Sequence, residues 1–400
     1  MRPPPYSAPA GNEAQEIVRG FEMRELIAYF LRLGTLGFGG PIALVGYMQK
    51  DLVEERHWFS KDDYLQGLAF CQLSPGPLAA QLAIYLGWLR AGVLGGTLTG
   101  VAFILPSFVM VVVLAALYVR FGSLSWIQGV FYGVGAAVIA IIARSAVKLV
   151  RTTLGQDWLL WIVFAAMAIT TAWREAEIVW LFVVCGIVVM LIKAPPKTKP
   201  LAPSALLPAS FGRLITGVHG IATLGMVGTL FLFFVKAGAF VFGSGLAIVP
   251  FLYGGVVGRF HWLTEKQFVD AVAVAMITPG PIVITAGFIG YLVAGLFGAI
   301  AAAFAVFAPP YFFVLLAAPY YRRFASNPQV KAFVKGVTAA AVGAIVGAAF
   351  ILARRSLTDV TTVLIAMVMF VILTLTKKIP EPVLILAAGV IGMFLHGSLR

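Results

Sequence analysis

The chain has 400 residues, 61% of them hydrophobic and only 11% charged, with a formal net charge of +13. Soluble domains hold roughly 45–50% apolar residues, so a conventional soluble domain is excluded. Lys and Arg sit between apolar runs and form no aromatic-rich basic patch, which excludes a nucleic-acid-binding module. The expected fold is an all-α integral membrane protein, with the lipid bilayer as its surroundings and no nucleic acid as partner.

Residues 1–20 run from Met1-Arg2 through Pro3, Pro4 and Pro5 without the apolar core of a signal peptide, and read as a cytoplasmic tail. The first repeat, 21–193, holds apolar runs near 24–48, 62–88, 92–119, 126–150, 158–172 and 177–193. A basic, Pro-rich linker follows over 194–213, with Pro195, Pro196, Lys197, Lys199 and Pro200. The second repeat, 214–400, has runs near 222–252, 267–293, 296–318, 330–353, 358–376 and 380–397. This pattern predicts about 10–13 transmembrane segments in two homologous repeats, at roughly 20 residues per crossing. Cys71 and Cys185 lie in apolar runs with neither a disulfide framework nor a metal-ligand spacing. No cofactor or metal is expected, and with no nucleotide loop, zinc motif or nucleophile elbow the chain does not read as an enzyme. Nothing in the pattern decides against a homodimer.

The duplication is visible in Pro75-Gly76-Pro77 and Pro279-Gly280-Pro281, whose surroundings match at a constant offset of 204 residues. Phe30 pairs with Phe234, Gly34 with Gly238, Phe38 with Phe242, Gly39 with Gly243, and His57-Trp58 with His261-Trp262. After a one-residue slip, Gly87, Gly95 and Pro106 match Gly290, Gly298 and Pro309. Ser60 and Thr264 open capping boxes just ahead of apolar runs. From these caps to Ser74 and Thr278, at the edge of the Pro-Gly-Pro copies, is about 21 Å of helix. That is too short to cross the bilayer, so each helix should break at depth.

Threaded through twelve spans from a cytoplasmic N-terminus, the first half obeys the positive-inside rule and the second violates it. Arg259, Lys266, Arg322, Arg323, Lys331 and Lys335 all fall on the wrong side. Opposite orientation of the halves repairs this, which needs an odd number of crossings between equivalent positions. One span must then be re-entrant or one crossing missed, with 214–253 one suspect. An inverted-topology repeat is predicted, its binding site near the midplane where interrupted helices meet. Two parallel six-helix halves are the alternative.

Prolines around Gly76 and Gly280 stop one half-helix and let another begin. The freed N–H groups and the positive end of the helix dipole suit an oxyanion, and Ser74 and Thr278 can add hydroxyls, with Gln72 as a further donor. The glycine-dense stretches around Gly39 and Gly40, and around Gly243 and Ser244, allow close approach of a ligand or of another helix. Arg32 and Lys236 occupy equivalent places inside apolar runs, where a cation faces a partner, a cavity, a substrate path or, by snorkelling, an interface. Arg144, Lys148 and Arg151 form a basic stripe that anchors the helix or gathers anions, and His57 and His261 read as interfacial anchors.

With Phe38-Gly39-Gly40-Pro41, His57-Trp58, Ser74-Pro75-Gly76-Pro77 and their second copies in order, the chain resembles a long, two-domain member of the chromate ion transporter family over about 21–397. The resemblance implies a multi-pass protein of the bacterial inner membrane that exports chromate and confers resistance to it. Composition and spacing by themselves reach only an anion transporter. Sulfate has the same shape and charge, so a sulfate or oxyanion importer or exchanger is the alternative, ahead of an anion channel or a membrane-embedded enzyme.

Overall fold

The computed structural model describes residues 20–38, 40–122, 124–174, 179–195, 224–239, 245, 248–321, 327–376 and 379–398. The predicted tail over 1–20 and linker over 194–213 fall outside these except at Gly20, Ala194 and Pro195. In the first repeat the helices are α1 (Met23–Leu36), α2 (Gly40–Met48, continued by a π-helical turn Gln49–Glu55), α3 (Lys61–Leu73), α4 (Leu78–Phe121), α5 (Ser125–Leu154), α6 (Trp158–Arg174) and α7 (Val179–Lys193). In the second they are α8 (Leu224–Ala239), α9 (Ile248–Tyr253, continued by the π-helical Gly254–Arg259), α10 (Glu265–Ile277), α11 (Thr285–Ala317), α12 (Pro328–Ser356), α13 (Val360–Leu375) and α14 (Glu381–Ser398). The architecture is an all-α membrane protein in two homologous repeats.

The predicted caps form. Ser60 Oγ accepts from the Asp63 N–H at 3.0 Å, and Thr264 Oγ1 from the Gln267 N–H at 3.3 Å with the reciprocal bond of a capping box. Pro75 and Pro279 end the helices so started after 13 residues each, about 20 Å at 1.5 Å per residue. The chain then reverses direction. Gly67 and Tyr85, about 27 Å apart in a straight helix, lie so close that a methyl group on Gly67 would strike the Tyr85 ring. Phe70 and Tyr85 are 5.9 Å apart between ring centroids. In the second repeat one ring, Tyr118, touches both Asp270 (2.8 Å) and Phe288 (5.5 Å between centroids), on either side of Pro-Gly-Pro. Both breaks are therefore tips of re-entrant hairpins.

A second hairpin precedes each. Phe21 stacks on Trp58 at 4.8 Å, so α1 enters and α2 leaves by the same face, with the glycine-dense turn at the tip. Likewise Phe233 of α8 stacks on Phe251 of α9 at 5.2 Å. Candidate spans 24–48, 62–88, 222–252 and 267–293 are thus not crossings but in-and-out pairs. The re-entrant behaviour suspected at 214–253 is shared by all four Gly- or Pro-interrupted runs.

Beyond each Pro-Gly-Pro hairpin the chain reverses again inside α4 and α11. Ala91 (φ −142°, ψ 28°) and Gly92 (φ 61°, ψ −147°) repeat as Ala294 (φ −144°, ψ 29°) and Gly295 (φ 62°, ψ −153°). That second conformation is essentially reserved for glycine. Thr99 Oγ1 then donates to the Ala83 carbonyl at 2.8 Å, fastening the long arm 93–121 to the short arm 78–90. The arm 93–121 is about 43 Å long, enough to cross.

The two long arms pack antiparallel at the centre. Thr97, early in the first, shares a 2.6 Å hydrogen bond with Tyr311, late in the second, while Tyr118 near the end of the first meets Asp270 near the mouth of the second repeat's hairpin. The repeats are inverted, each sending its hairpins in from its own face. The face bearing Phe21 and Trp58 is called near and the other far. Around the centre, α14 packs on α5 and α6 and α7 on α12 through small residues: Gly133 lies against Ala388 and Gly392, and Gly343 and Gly347 against the Phe164 and Ala168 carbonyls. Such close backbone approach is the usual means of helix association in lipid.

His57 (φ 54°) and His261 (φ 51°) are left-handed residues that end the π-helical turns, where glycine or asparagine is the usual choice. His57→Val should lower the unfolding midpoint of the purified protein by the equivalent of about 1–2 kcal/mol, whereas His57→Gly should leave it nearly unchanged. A thermal melt in detergent measures both.

Candidate functional site

The hairpin tips of one repeat meet elements of the other. Gly280 at the second Pro-Gly-Pro donates its N–H to the Gly37 carbonyl at 3.0 Å, and a Cβ there would strike Ser107 of α4. Gly76 at the first Pro-Gly-Pro faces Pro310 of α11, where an added methyl would come within 2.5 Å of the proline ring. Ser107 and Pro310 are themselves equivalent positions, so the two contacts are copies of one. Gly76 and Gly280 have φ of 141° and 99°, values that favour glycine. Ser107 Oγ in turn donates to the Gly34 carbonyl at 3.3 Å.

A small hollow lies where the glycine tip of the first repeat meets the Pro-Gly-Pro tip of the second. Gly37, Phe38, Gly40, Thr278, Gly280, Ile282 and Glu381 are among its walls. Three helical N-termini open onto it: Gly40 begins α2, Ile282 begins the turn leading into α11, and Glu381 begins α14. Pro41 and Pro382 carry no N–H, and the Val383 and Leu384 N–H groups meet the Pro380 carbonyl, so the helix dipoles are what favour negative charge there. Glu381 supplies negative charge there already. Its Oε1 lies 3.4 Å from Nη1 of Arg144, ten residues before the end of α5, with both side chains half-buried. The cavity is about 20 Å³, on the order of what one water needs, so the tips must part before a polyatomic anion can enter.

Of the predicted site residues, Gly40, Thr278 and Gly280 line this hollow. Gly76 and Ser74 belong to the other Pro-Gly-Pro tip, and Gln72 is exposed at the end of α3. The two tip hydroxyls bond backward into their own helices, Ser74 Oγ to the Cys71 carbonyl at 3.3 Å and Thr278 Oγ1 to the Ala275 carbonyl at 3.1 Å. Arg32 and Lys236 lie on exposed faces of α1 and α8, within about two turns of the glycine tips, with no ion pair or hydrogen bond among the described residues. Gly39, Gly243 and Ser244 fall outside the described residues. Sequence reasoning passed over Glu381, although an acid framed by Pro380 and Pro382 at the start of an apolar run marks a charged helix N-terminus.

The chain matches the Chromate transporter family over residues 24–190 and 228–393, one stretch in each repeat. The chain belongs to this family. Its members are transporters and not enzymes. A chromate transport protein of Cupriavidus metallidurans is 54% identical over 95% of both chains. A probable chromate transport protein of Synechococcus elongatus is 53% identical over 93% of this chain and 95% of its own, and a chromate transport protein of Pseudomonas aeruginosa is 32% identical over 92% and 91%. No solved structure matches the chain.

The first Pro-Gly-Pro tip has a brace that the second lacks. Gln81, fully buried, donates from Nε2 to Ser74 Oγ at 3.0 Å and to the Pro75 carbonyl at 2.7 Å, and its Oε1 has no partner among the described residues. Thr285 stands at the equivalent place and, among the described residues, its hydroxyl bonds only to the Ile282 carbonyl, at 2.7 Å. Gln81→Leu should therefore cost the equivalent of about 1–3 kcal/mol by stranding the buried tip carbonyl, and Thr285→Val less. Thermal unfolding of the two variants in detergent measures the difference.

Proposed function

We propose that the chain exports chromate, a tetrahedral dianion, from the bacterial cytoplasm across the inner membrane and so confers resistance to it. The hollow between the first repeat's glycine tip and the second repeat's Pro-Gly-Pro tip is its binding site. The observation that carries this reading is the convergence of three helix N-termini on one small hollow, with Arg144 paired to Glu381 in its wall. Names of relatives spanning nearly the whole chain support chromate as the substrate. In the proposed cycle the dianion displaces Glu381 from Arg144, and the repeats rock to open the hollow to the other face. Arg32 and Lys236 draw the anion toward the tips, and Gln72, Ser74, Gly76, Gly243 and Ser244 build the pseudo-symmetric half of the passage.

Charge distribution supports the near face as cytoplasmic. Arg24, Arg56, Lys61, Arg90, Arg151 and Lys193 of the first repeat gather there with Lys331 and Lys335 of the second, against Arg120, Arg259, Lys266, Arg354 and Arg355 on the far face. Of these cations eight lie at the near face and five at the far face, the sense of the positive-inside rule, with the excess coming from the first repeat. An inside-negative potential then favours export, by about 4.6 kcal/mol per dianion at 100 mV.

Arg144→Gln should raise the KM for chromate uptake into inverted vesicles roughly 10- to 100-fold, the loss of one charge-assisted contact. Glu381→Gln should lower it by removing the resident competitor. Arg32→Gln and Lys236→Gln should mainly weaken the dependence of rate on ionic strength. Unaltered kinetics in Arg144→Gln would dismiss the hollow as the site, and uptake abolished by equimolar sulfate would identify a general oxyanion carrier.

A further inference from the structure

Asp270 stands apart from every other carboxylate among the described residues. It lies on α10, five residues past Glu265, about 8 Å into the slab from the far face, and is only 2% exposed. Its Oδ2 accepts a 2.8 Å hydrogen bond from the hydroxyl of Tyr118, across the interface between the repeats. Charged groups on the elements around it include Lys266, exposed one turn earlier on α10; Arg120, exposed at the end of α4 over the Phe121 ring; Arg259, over the Phe260 ring; Arg354 of α12, exposed; Arg355 of α12, engaged by Glu265 and Tyr253; and Glu381 of α14, engaged by Arg144 of α5. Among the described residues no cation lies within ion-pair distance of Asp270.

The duplication supplies a control within the same molecule. The first-repeat equivalent of Asp270 is Gln66, and the second-repeat equivalent of Tyr118 is Tyr321. One copy of this position is filled by a neutral amide, so the helix, the tip and the fold do not require a carboxylate. A carboxylate buried without a cation is costly in its charged form and acceptable in its neutral one. Its retention in one copy calls for a role that an amide cannot fill, and within a membrane such a role is commonly proton carriage.

We propose that Asp270 is a proton-binding site coupled to the anion site. The inference rests on the anion reading of the hollow. Thr278, in the wall of that hollow, is eight residues further along the chain, at the end of the same α10, about 12 Å away. Two negative charges at that separation in a poorly screened interior repel one another. Anion binding therefore favours the uptake of one proton from water by the Asp270 carboxylate, and the proton is released to water when the anion leaves. By reciprocity of linkage, proton binding tightens anion binding equally. The two travel together, and each dianion moves one net negative charge instead of two.

The test is reconstitution of the full chain in vesicles with an imposed chromate gradient, following chromate and internal pH together. In the wild type, proton movement should accompany chromate one for one. In Asp270→Asn the anion flux should carry no protons and lose its pH dependence, and Tyr118→Phe should shift that pH dependence while retaining proton movement. Chromate flux without proton flux in the wild type would overturn this inference and leave the anion reading intact. Proton flux persisting in Asp270→Asn would also overturn it. No chromate flux in the wild type would overturn both. If Asp270→Asn is inactive, infrared difference spectra of the wild type on adding chromate decide: a new carboxylic-acid C=O band that is absent in Asp270→Asn is expected, and no such band overturns the inference.

Discussion

A helix that stops inside a lipid slab leaves N–H and C=O groups that water cannot reach, so protein has to meet them. Four helical hairpins of this chain stop there, and much of the fold results from how their ends are satisfied. Gly280 gives its N–H to Gly37 of the other repeat, Ser107 reaches the Gly34 carbonyl, and Gln81 holds the first Pro-Gly-Pro turn from within its own hairpin. Because the tips of each repeat rest on the other, at Gly280 with Gly37 and at Gly76 with Pro310, neither repeat is complete alone. The close approach also explains the glycines, since a side chain at Gly76 or Gly280 would collide with Pro310 or Ser107.

The same economy that satisfies helix ends creates a binding opportunity. Where N-termini converge, the positive ends of the helix dipoles favour a negative occupant. Glu381 holds that place in the closed state. In the proposed cycle this carboxylate keeps Arg144 paired until a doubly charged competitor arrives, which the small cavity fits as a closed conformation. Asp270 is then a second, separate ionisable group on the same tip helix, about 12 Å from the hollow's Thr278 and so, in the proposal, near enough to feel an anion there.

Much of this was legible in the residues. The period of the duplication, the caps at Ser60 and Thr264 and the breaks at both Pro-Gly-Pro motifs are local signals, because prolines and capping hydroxyls act on their own turns. The violated charge rule pointed to opposite orientation of the two halves. The sense of each break was not legible, because a proline pair ends a helix without saying whether the next continues or returns. That is settled by contacts such as Gly67 with Tyr85, eighteen residues apart. Arg32 and Lys236 drew attention as cations in apolar runs, yet which way a side chain points from a half-helix depends on its neighbours. Asp270 was missed although the comparison of repeats pairs it with Gln66, an exchange of amide for acid that periodicity does not register.

Everything above requires that the Pro-Gly-Pro segments turn back in the membrane, inverting one repeat against the other. Single cysteines at Lys61, Ala91, Glu265 and Ala294, in a variant lacking Cys71 and Cys185, put this to the test when sealed vesicles of known orientation are labelled with an impermeant thiol reagent. Positions 61 and 91 should label from one face and positions 265 and 294 from the other. Labelling of 61 and 91 from opposite faces would mean a straight, broken crossing and would refute the hairpin.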